Sequence, residues 1–280
     1  GMQNQGALVA LPMDVIAKDA TNKDLAIYRW QMDETVKQAK KFKGRVFPFF
    51  MVNTNRDNVL GMMEEYLGNG SCVGIKLYPS LGYKTKSATM KKVVAYADAN
   101  EVPMLIHCNG GGFKKSDSWA KQANPALWET YLKEFKSFKI CFAHFGGDEH
   151  LTEPSSAAGK LSREWCDTIV QLIKKYPGRV YTDISFHTAG MEKGKNADGK
   201  LHRTAYFGWI KSLMADKKLA NAILFGSDYF LVRQRASDRS IFDWYQKYGA
   251  KGIGKANWEK LTSSNAENFL GVKFAKNGSS

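Results

Sequence analysis

Cysteine is scarce in this chain, with four in 280 residues, at positions 72, 108, 141 and 166, and no paired spacing among them. That argues against a disulfide framework or a zinc knuckle. It favours buried free thiols in a reducing compartment, so a cytoplasmic setting is expected. Long apolar runs are also missing, and none approaches the ~18 residues of a membrane span. Residues 1–6 show no basic region followed by an apolar stretch, so no signal peptide is expected. There is no phosphate-binding P-loop, no GxGxxG dinucleotide fingerprint and no GxSxG nucleophile elbow. Acidic residues are few, 27 against 41 Lys plus Arg, for a formal charge of +14. Such a charge suits an anionic substrate or a nucleic acid. The lysines, however, are scattered over expected helices (Lys37, Lys40, Lys41, Lys91, Lys92, Lys174, Lys175) with no aromatic–basic repeat among them. A solvated basic surface is the plainer reading. The expected partner is a small molecule, with neither nucleic acid nor membrane.

What is present is a run of apolar segments bounded by turn residues. Seven read as strands: 7–12, 45–52, 73–78, 103–107, 139–144, 179–185 and 222–227. Most are continuously apolar, as in strands covered on both faces. Helical spacing lies between them at 24–43, at 57–68 with Asp57 as cap, and at 87–100 with Met90, Val93, Val94 and Ala97 on one face. It recurs at 124–135 opening on Asn124-Pro125, at 162–176 capped by Ser162, at 202–216 and at 257–268. Strand–helix alternation repeated seven times predicts an α/β fold with a parallel sheet, one strand short of a (β/α)8 TIM-barrel-like domain over 1–280. The strand not seen is most simply the first. Two long loops, 146–161 and 186–201, follow strands and belong on the face where such barrels carry their chemistry. Trp244, Tyr245 and Tyr248, expected on barrel helices, give a flat apolar surface that permits a homodimer without requiring one.

Three strands end in residues able to handle protons or metals. Residues 103–107 end in His107, followed by Cys108-Asn109 and three glycines; residues 139–144 end in His144, followed by Phe145-Gly146-Gly147; and Ile223-Leu224-Phe225-Gly226-Ser227 leads into Asp228. Taken singly, each histidine reads as a hydrogen-bonded core or rim histidine and Asp228 as a helix cap or a salt-bridge partner. Their recurrence at one phase of separate strand–helix units argues for a shared site. Lys76, inside the apolar run 73–78, needs a partner or a depressed pKa, because an unpaired buried ammonium is costly. It reads either as one half of an ion pair or as a substrate-binding group. Asp183 and Ser185 end another strand, and Asp183 either orients a neighbour or caps a turn; Asp14 is a similar case. Arg233, Arg235 and Arg239 follow Asp228 and suit a carboxylate ligand or a plain surface cluster. His187 and His202, flanking the loop 186–201, and His150 are placed to reach the site, but each reads more simply as solvated.

The set Gly74-x-Lys76-Leu77-x-Pro79, His107, His144-x-Gly146-Gly147, Asp183-x-Ser185 and Gly226-Ser227-Asp228, closed by Asn265-Ala266-Glu267-Asn268-Phe269-Leu270-Gly271, resembles the amidohydrolase superfamily. It is most similar to the branch of aminocarboxymuconate-semialdehyde decarboxylase and related hydrolases and decarboxylases. The resemblance covers residues 7–271. It implies a (β/α)8 barrel with one divalent metal, commonly zinc, held by a His-x-His pair on strand one, the strand-five histidine and the strand-eight aspartate. A strand-six histidine would activate or position the metal-bound water. Carried over, these roles fall on His107 and Asp228 as metal ligands and on His144 as the group that handles the proton, with Asp228 also shuttling one. Lys76 and Arg233 would bind a carboxylate-bearing substrate. The expected reaction is hydrolysis of a C–N or C–O bond, or non-oxidative decarboxylation. The chain departs from the pattern at one point, since no two of its five histidines are spaced two apart. Strand one either lies upstream or is lacking. That leaves His107 and Asp228, fewer than the three protein ligands of a catalytic zinc. The competing readings are a barrel that binds a ligand without turnover, and a metal-independent hydrolase.

Overall fold

The structure, a computed structural model, describes residues 7–14, 25–42, 44–192, 194 and 200–274. The chain divides into two compact units. The first comprises Gly1–His107, Gly111–Ile140 and Leu270–Ser280, and the second Cys108–Gly110 and Cys141–Phe269.

All seven expected strands form: β1 (Leu8–Ala10), β2 (Val46–Val52), β3 (Gly74–Leu77), β4 (Met104–Ile106), β5 (Ile140–Phe142), β6 (Val180–Asp183) and β7 (Ile223–Leu224). They are shorter than the apolar runs that announced them. Within the first unit, neighbours in chain order pair in parallel, with Phe49 opposite Gly74, and Met51, Lys76 and Leu105 in one row. Within the second, β6 pairs β7 in parallel, with Thr182 opposite Ile223 and Asp183 opposite Leu224. Phe49 to Val52 and Ile140 to Phe142 are buried, which explains their unbroken apolar sequence; Gly74 to Leu77 is buried too, with Lys76 inside it.

The main helices are α1 (Leu25–Lys40), α2 (Val59–Gly68), α3 (Ala88–Ala99), α4 (Glu129–Glu134), α5 (Ala157–Lys175), α6 (His202–Leu213), α7 (Asp238–Ile253) and α8 (Asn265–Leu270). Helix α3 follows the expected stripe, with Met90, Val93, Val94 and Ala97 all buried and the Ser87 hydroxyl accepting from the Met90 amide. The expected ends 24 and 43 of the first helix lie outside the described residues.

Several boundaries need correction. Helix α2 is entered through Asn58 in the left-handed region (φ 54°), not through Asp57. Ser162 does not cap its helix. Ser156 does, accepting from the Gly159 amide, and Ser162 is buried one and a half turns further in. The Pro-Ser-Ser stretch before it looked like loop, so the first turn was hidden. The 202–216 segment stops at Leu213, and Asp216 caps a separate turn, Lys217–Ala220. The segment 257–268 breaks into Lys255–Glu259, a π-helical turn Lys260–Ser264 and α8. Gly249 and Gly252 interrupt the pattern of helix α7, which left its bounds undrawn although Trp244, Tyr245 and Tyr248 are expected on a helix. The two glycines are tolerated because they face Trp258 and Phe207, where a Cβ would lie within 2.2 and 2.6 Å of ring or side-chain carbon. Tyr245, expected on an apolar surface, is buried at 2 % exposure, while Trp244 and Tyr248 are half-buried. Among the described residues, no helix is long and apolar enough to cross a membrane.

Candidate functional site

In the second unit, the chain leaves β5 through His144, Phe145, Gly146 and Gly147, all with positive φ (64°, 46°, 78° and 107°). Left-handed backbone costs a non-glycine residue roughly 1–2 kcal/mol. Two such residues in succession persist only when their surroundings over-determine them. Gly146 has no alternative, since a Cβ there would come within 2.8 Å of Trp165 Cβ and 2.9 Å of the Cys166 amide nitrogen. His144 is held at both ends of its backbone. Its amide donates to Asp183 Oδ1 at 3.0 Å, and its carbonyl accepts from the Gly147 amide at 2.7 Å and from His187 Nε2 at 2.8 Å.

The imidazole is fixed as well. His144 Nδ1 lies 3.0 Å from the Ser185 carbonyl oxygen and 2.9 Å from Ser185 Oγ. A carbonyl only accepts, so Nδ1 carries the proton and Nε2 holds the lone pair of the neutral ring. Ser185 Oγ donates onward to Asp183 Oδ1 at 2.5 Å, and the Ser185 amide donates to the same oxygen at 2.9 Å. Both sequence readings of Asp183 are realised, since it caps the turn at the Ser185 amide and also holds the His144 amide. All three side chains are buried, at 8, 7 and 6 % exposure for His144, Ser185 and Asp183.

Asp228 follows β7 in the left-handed region (φ 54°, ψ 48°) and is half-buried. It opens the short helix Tyr229–Val232 through its backbone carbonyl, and its carboxylate makes no capping hydrogen bond, so the cap reading fails for the side chain. A Cβ on Gly226 would meet Ser185 Cβ at 2.8 Å, so only glycine lets the end of β7 pass this close to the Asp183–Ser185 pair. Arg233, Arg235 and Arg239 are exposed, and Arg239 pairs with Asp243 at 3.3 Å.

In the first unit, Lys76 is buried at 6 % exposure with its Nζ 5.7 Å from the Tyr78 ring centre. The same ring stacks on His107 at 3.8 Å, and His107 Nε2 lies 3.4 Å from the Gly111 carbonyl. Asp14 forms a bidentate pair with Arg56 (Nη2–Oδ1 2.7 Å, Nε–Oδ2 2.9 Å) and accepts from Asn53 Nδ2 at 3.0 Å. Arg56 and Asn53 were missed in the sequence. Their only signal was position, directly after the apolar run 45–52.

His150 and His187 are not solvated, as expected, but 3 % exposed each; His202 is half-buried. His150 Nδ1 sits 2.7 Å from Ser162 Oγ, and its ring meets Trp209 edge-on at 5.2 Å. Burial, with Arg163 and His187 nearby, pushes its pKa down from 6.5 to about 3. Between those values the unfolded chain takes up a proton that the folded chain refuses. Stability is therefore full above pH 6.5 and falls with acidification toward pH 3, by up to about 1.4 kcal/mol per pH unit. Urea denaturation at pH 7.5, 6.5 and 5.5 should show this slope flattened in His150→Leu; equal slopes in the two proteins would refute it.

Among the described residues, no three His, Cys, Asp or Glu side chains are grouped so as to hold a metal. The two ligands carried over from the resemblance, His107 and Asp228, belong to different units. With fewer than three protein ligands together, the described residues do not fit the expected mononuclear site.

The amidohydrolase family model matches residues 11–272. Solved structures similar to this chain include an uncharacterised TIM-barrel protein of Bordetella bronchiseptica (15 % identity, TM-score 0.59, covering 86 % of this chain and 72 % of that one). Another is 2,6-dihydroxybenzoate decarboxylase from Rhizobium (13 %, TM-score 0.62, 95 % and 84 %). A third is a zinc-bound amidohydrolase of Burkholderia multivorans (13 %, TM-score 0.61, 87 % and 80 %). At these identities the likeness establishes the fold, the TIM-barrel-like α/β architecture expected from strand–helix alternation. A search of curated proteins finds none that matches.

Proposed function

We propose that this chain, which belongs to the amidohydrolase family and is an enzyme of hydrolase or decarboxylase type, acts on a small carboxylate-bearing substrate with His144 Nε2 as its proton carrier. The observation that supports this is the buried Asp183–Ser185–His144 chain of hydrogen bonds, which commits Nδ1 as a donor and so makes Nε2 the nitrogen whose proton exchanges.

In decarboxylation, the C–C bond to the carboxylate breaks, CO2 leaves and the carbon takes a proton from Nε2 of the protonated ring. In hydrolysis, Nε2 takes a proton from the attacking water and returns it to the leaving group. In both, the Asp183 carboxylate, one hydroxyl away, faces the positive charge that forms on the ring and does not itself move a proton. Asp228, whose carboxylate has no capping duty, is the carboxylate for proton transfer. Arg233, exposed five residues on, offers a bidentate contact for the substrate carboxylate.

The first assay is CO2 release from 2,6-dihydroxybenzoate and a panel of small aryl and alkyl carboxylates. Turnover is expected, falling about 10²- to 10⁴-fold in His144→Gln with the circular dichroism spectrum retained, the usual contribution of a positioned acid–base group. A His144→Gln protein that turns over at the wild-type rate would sink the assignment.

A further inference from the structure

His187 is a buried histidine that the proton-transfer scheme above does not use. Its Nε2 lies 2.8 Å from the His144 carbonyl, and a carbonyl only accepts, so Nε2 carries a proton. In the neutral ring, Nδ1 is then an acceptor, and it has a donor in Tyr206 Oη at 3.2 Å. Tyr245 Oη lies 2.8 Å from Tyr206 Oη and 3.2 Å from the His187 carbonyl, so its proton is shared between them. His187, Tyr206 and Tyr245 are 3, 1 and 2 % exposed. Burial holds both phenols well above their usual pKa, so both hydroxyls keep the protons they donate.

The consequence reaches back to the strained turn after β5. Besides the Gly147 amide on its carbonyl, the His144 backbone is held by Asp183 on its amide and by His187 on its carbonyl, and these contacts oppose relaxation from φ 64°. Without His187 the carbonyl keeps the bond from the Gly147 amide within the turn but loses its tie to a neighbouring element, which favours rotation toward ordinary backbone and moves the imidazole off Ser185. We infer that His187, with its tautomer set by Tyr206 and Tyr245, is a positioning residue that holds the His144 peptide in its left-handed conformation and so aims the proton-carrying nitrogen. This rests on the proposed role of His144 but is tested separately from it.

The experiment combines imidazole ¹H–¹⁵N long-range NMR with kinetics on the full chain, comparing wild type, His187→Leu, His187→Gln and Tyr206→Phe, with 2,6-dihydroxybenzoate as probe. In wild type, His187 should be protonated on Nε2 and His144 on Nδ1. His187→Leu should lose the single His144 tautomer and lower kcat about 100-fold, the scale of an ångström of misplacement, with KM within about twofold. His187→Gln, whose amide can donate in place of Nε2–H, should restore most of both. Tyr206→Phe should mix the His187 tautomers and lower kcat about 2- to 10-fold, the net worth of one hydrogen bond; it stands in if His187→Leu does not fold. Should the probe not turn over, the substrate proposal is wrong and the NMR comparison still decides. A folded His187→Leu, or a Tyr206→Phe in its place, with wild-type His144 signals overturns the inference.

Discussion

Asp183→Ala is expected to destabilise the second unit by about 3–5 kcal/mol and to abolish turnover. One oxygen of this carboxylate accepts from the His144 amide, the Ser185 amide and the Ser185 hydroxyl, all in a site almost closed to water. Alanine leaves two backbone donors buried without an acceptor, each costing roughly 1–3 kcal/mol, and bonds to a charged acceptor are at the upper end of that range. The same change releases Ser185 from its hydrogen-bond partner and the His144 backbone from one anchor, so the His144 ring loses its orientation as well. Asp183→Asn keeps an acceptor oxygen and should recover more stability than activity. Urea midpoints and probe turnover on the three proteins separate the two effects. An alanine variant as stable as wild type would contradict the reading.

The second large effect belongs to the first unit. Arg56→Leu should cost about 3–5 kcal/mol, because it leaves the Asp14 carboxylate buried and uncompensated. The side chains of the pair are 1 and 7 % exposed for Arg56 and Asp14, and Asn53 alone cannot neutralise the charge. Making Asp14→Leu together with Arg56→Leu should restore most of the loss, because an apolar pair of similar bulk is often as stable as a buried ion pair. Thermal melts of the single and double variants check this. A double variant no more stable than Arg56→Leu would show that the damage lies in packing rather than in the stranded charge.

Much of this architecture was legible before any coordinates, for a physical reason. A strand buried on both faces, such as Phe49 to Val52 or Ile140 to Phe142, has to be written in unbroken apolar residues, so its sequence announces it. His144 and Asp228 were legible as strand-end residues on the same logic. Their left-handed backbone was not, because nothing in either side chain demands it; it is imposed by what each peptide touches across the unit. Asp14 could be seen but not its partner, since Arg56 is 42 residues away and no local pattern encodes that distance. His150 and His187 were misread as solvated because single histidines carry no periodicity. Their burial depends on Ser162, Tyr206 and Trp209 arriving from other elements. The bounds of helix α7 were hidden by the glycines that let it pack closely.

The four cysteines are buried, and no disulfide joins them. Cys72 lies in the first unit and Cys108, Cys141 and Cys166 in the second. Burial holds the thiols of Cys72 and Cys166 at a pKa of about 12 and that of Cys108 well above its usual value. Only a thiolate attacks an alkylating reagent, so these sulfurs are chemically silent while the fold is closed. Each unit thus carries its own latent timer. The rate at which a given sulfur becomes alkylated is the rate at which its surroundings open, and peptide mapping of the label separates the breathing of one unit from that of the other without any added probe.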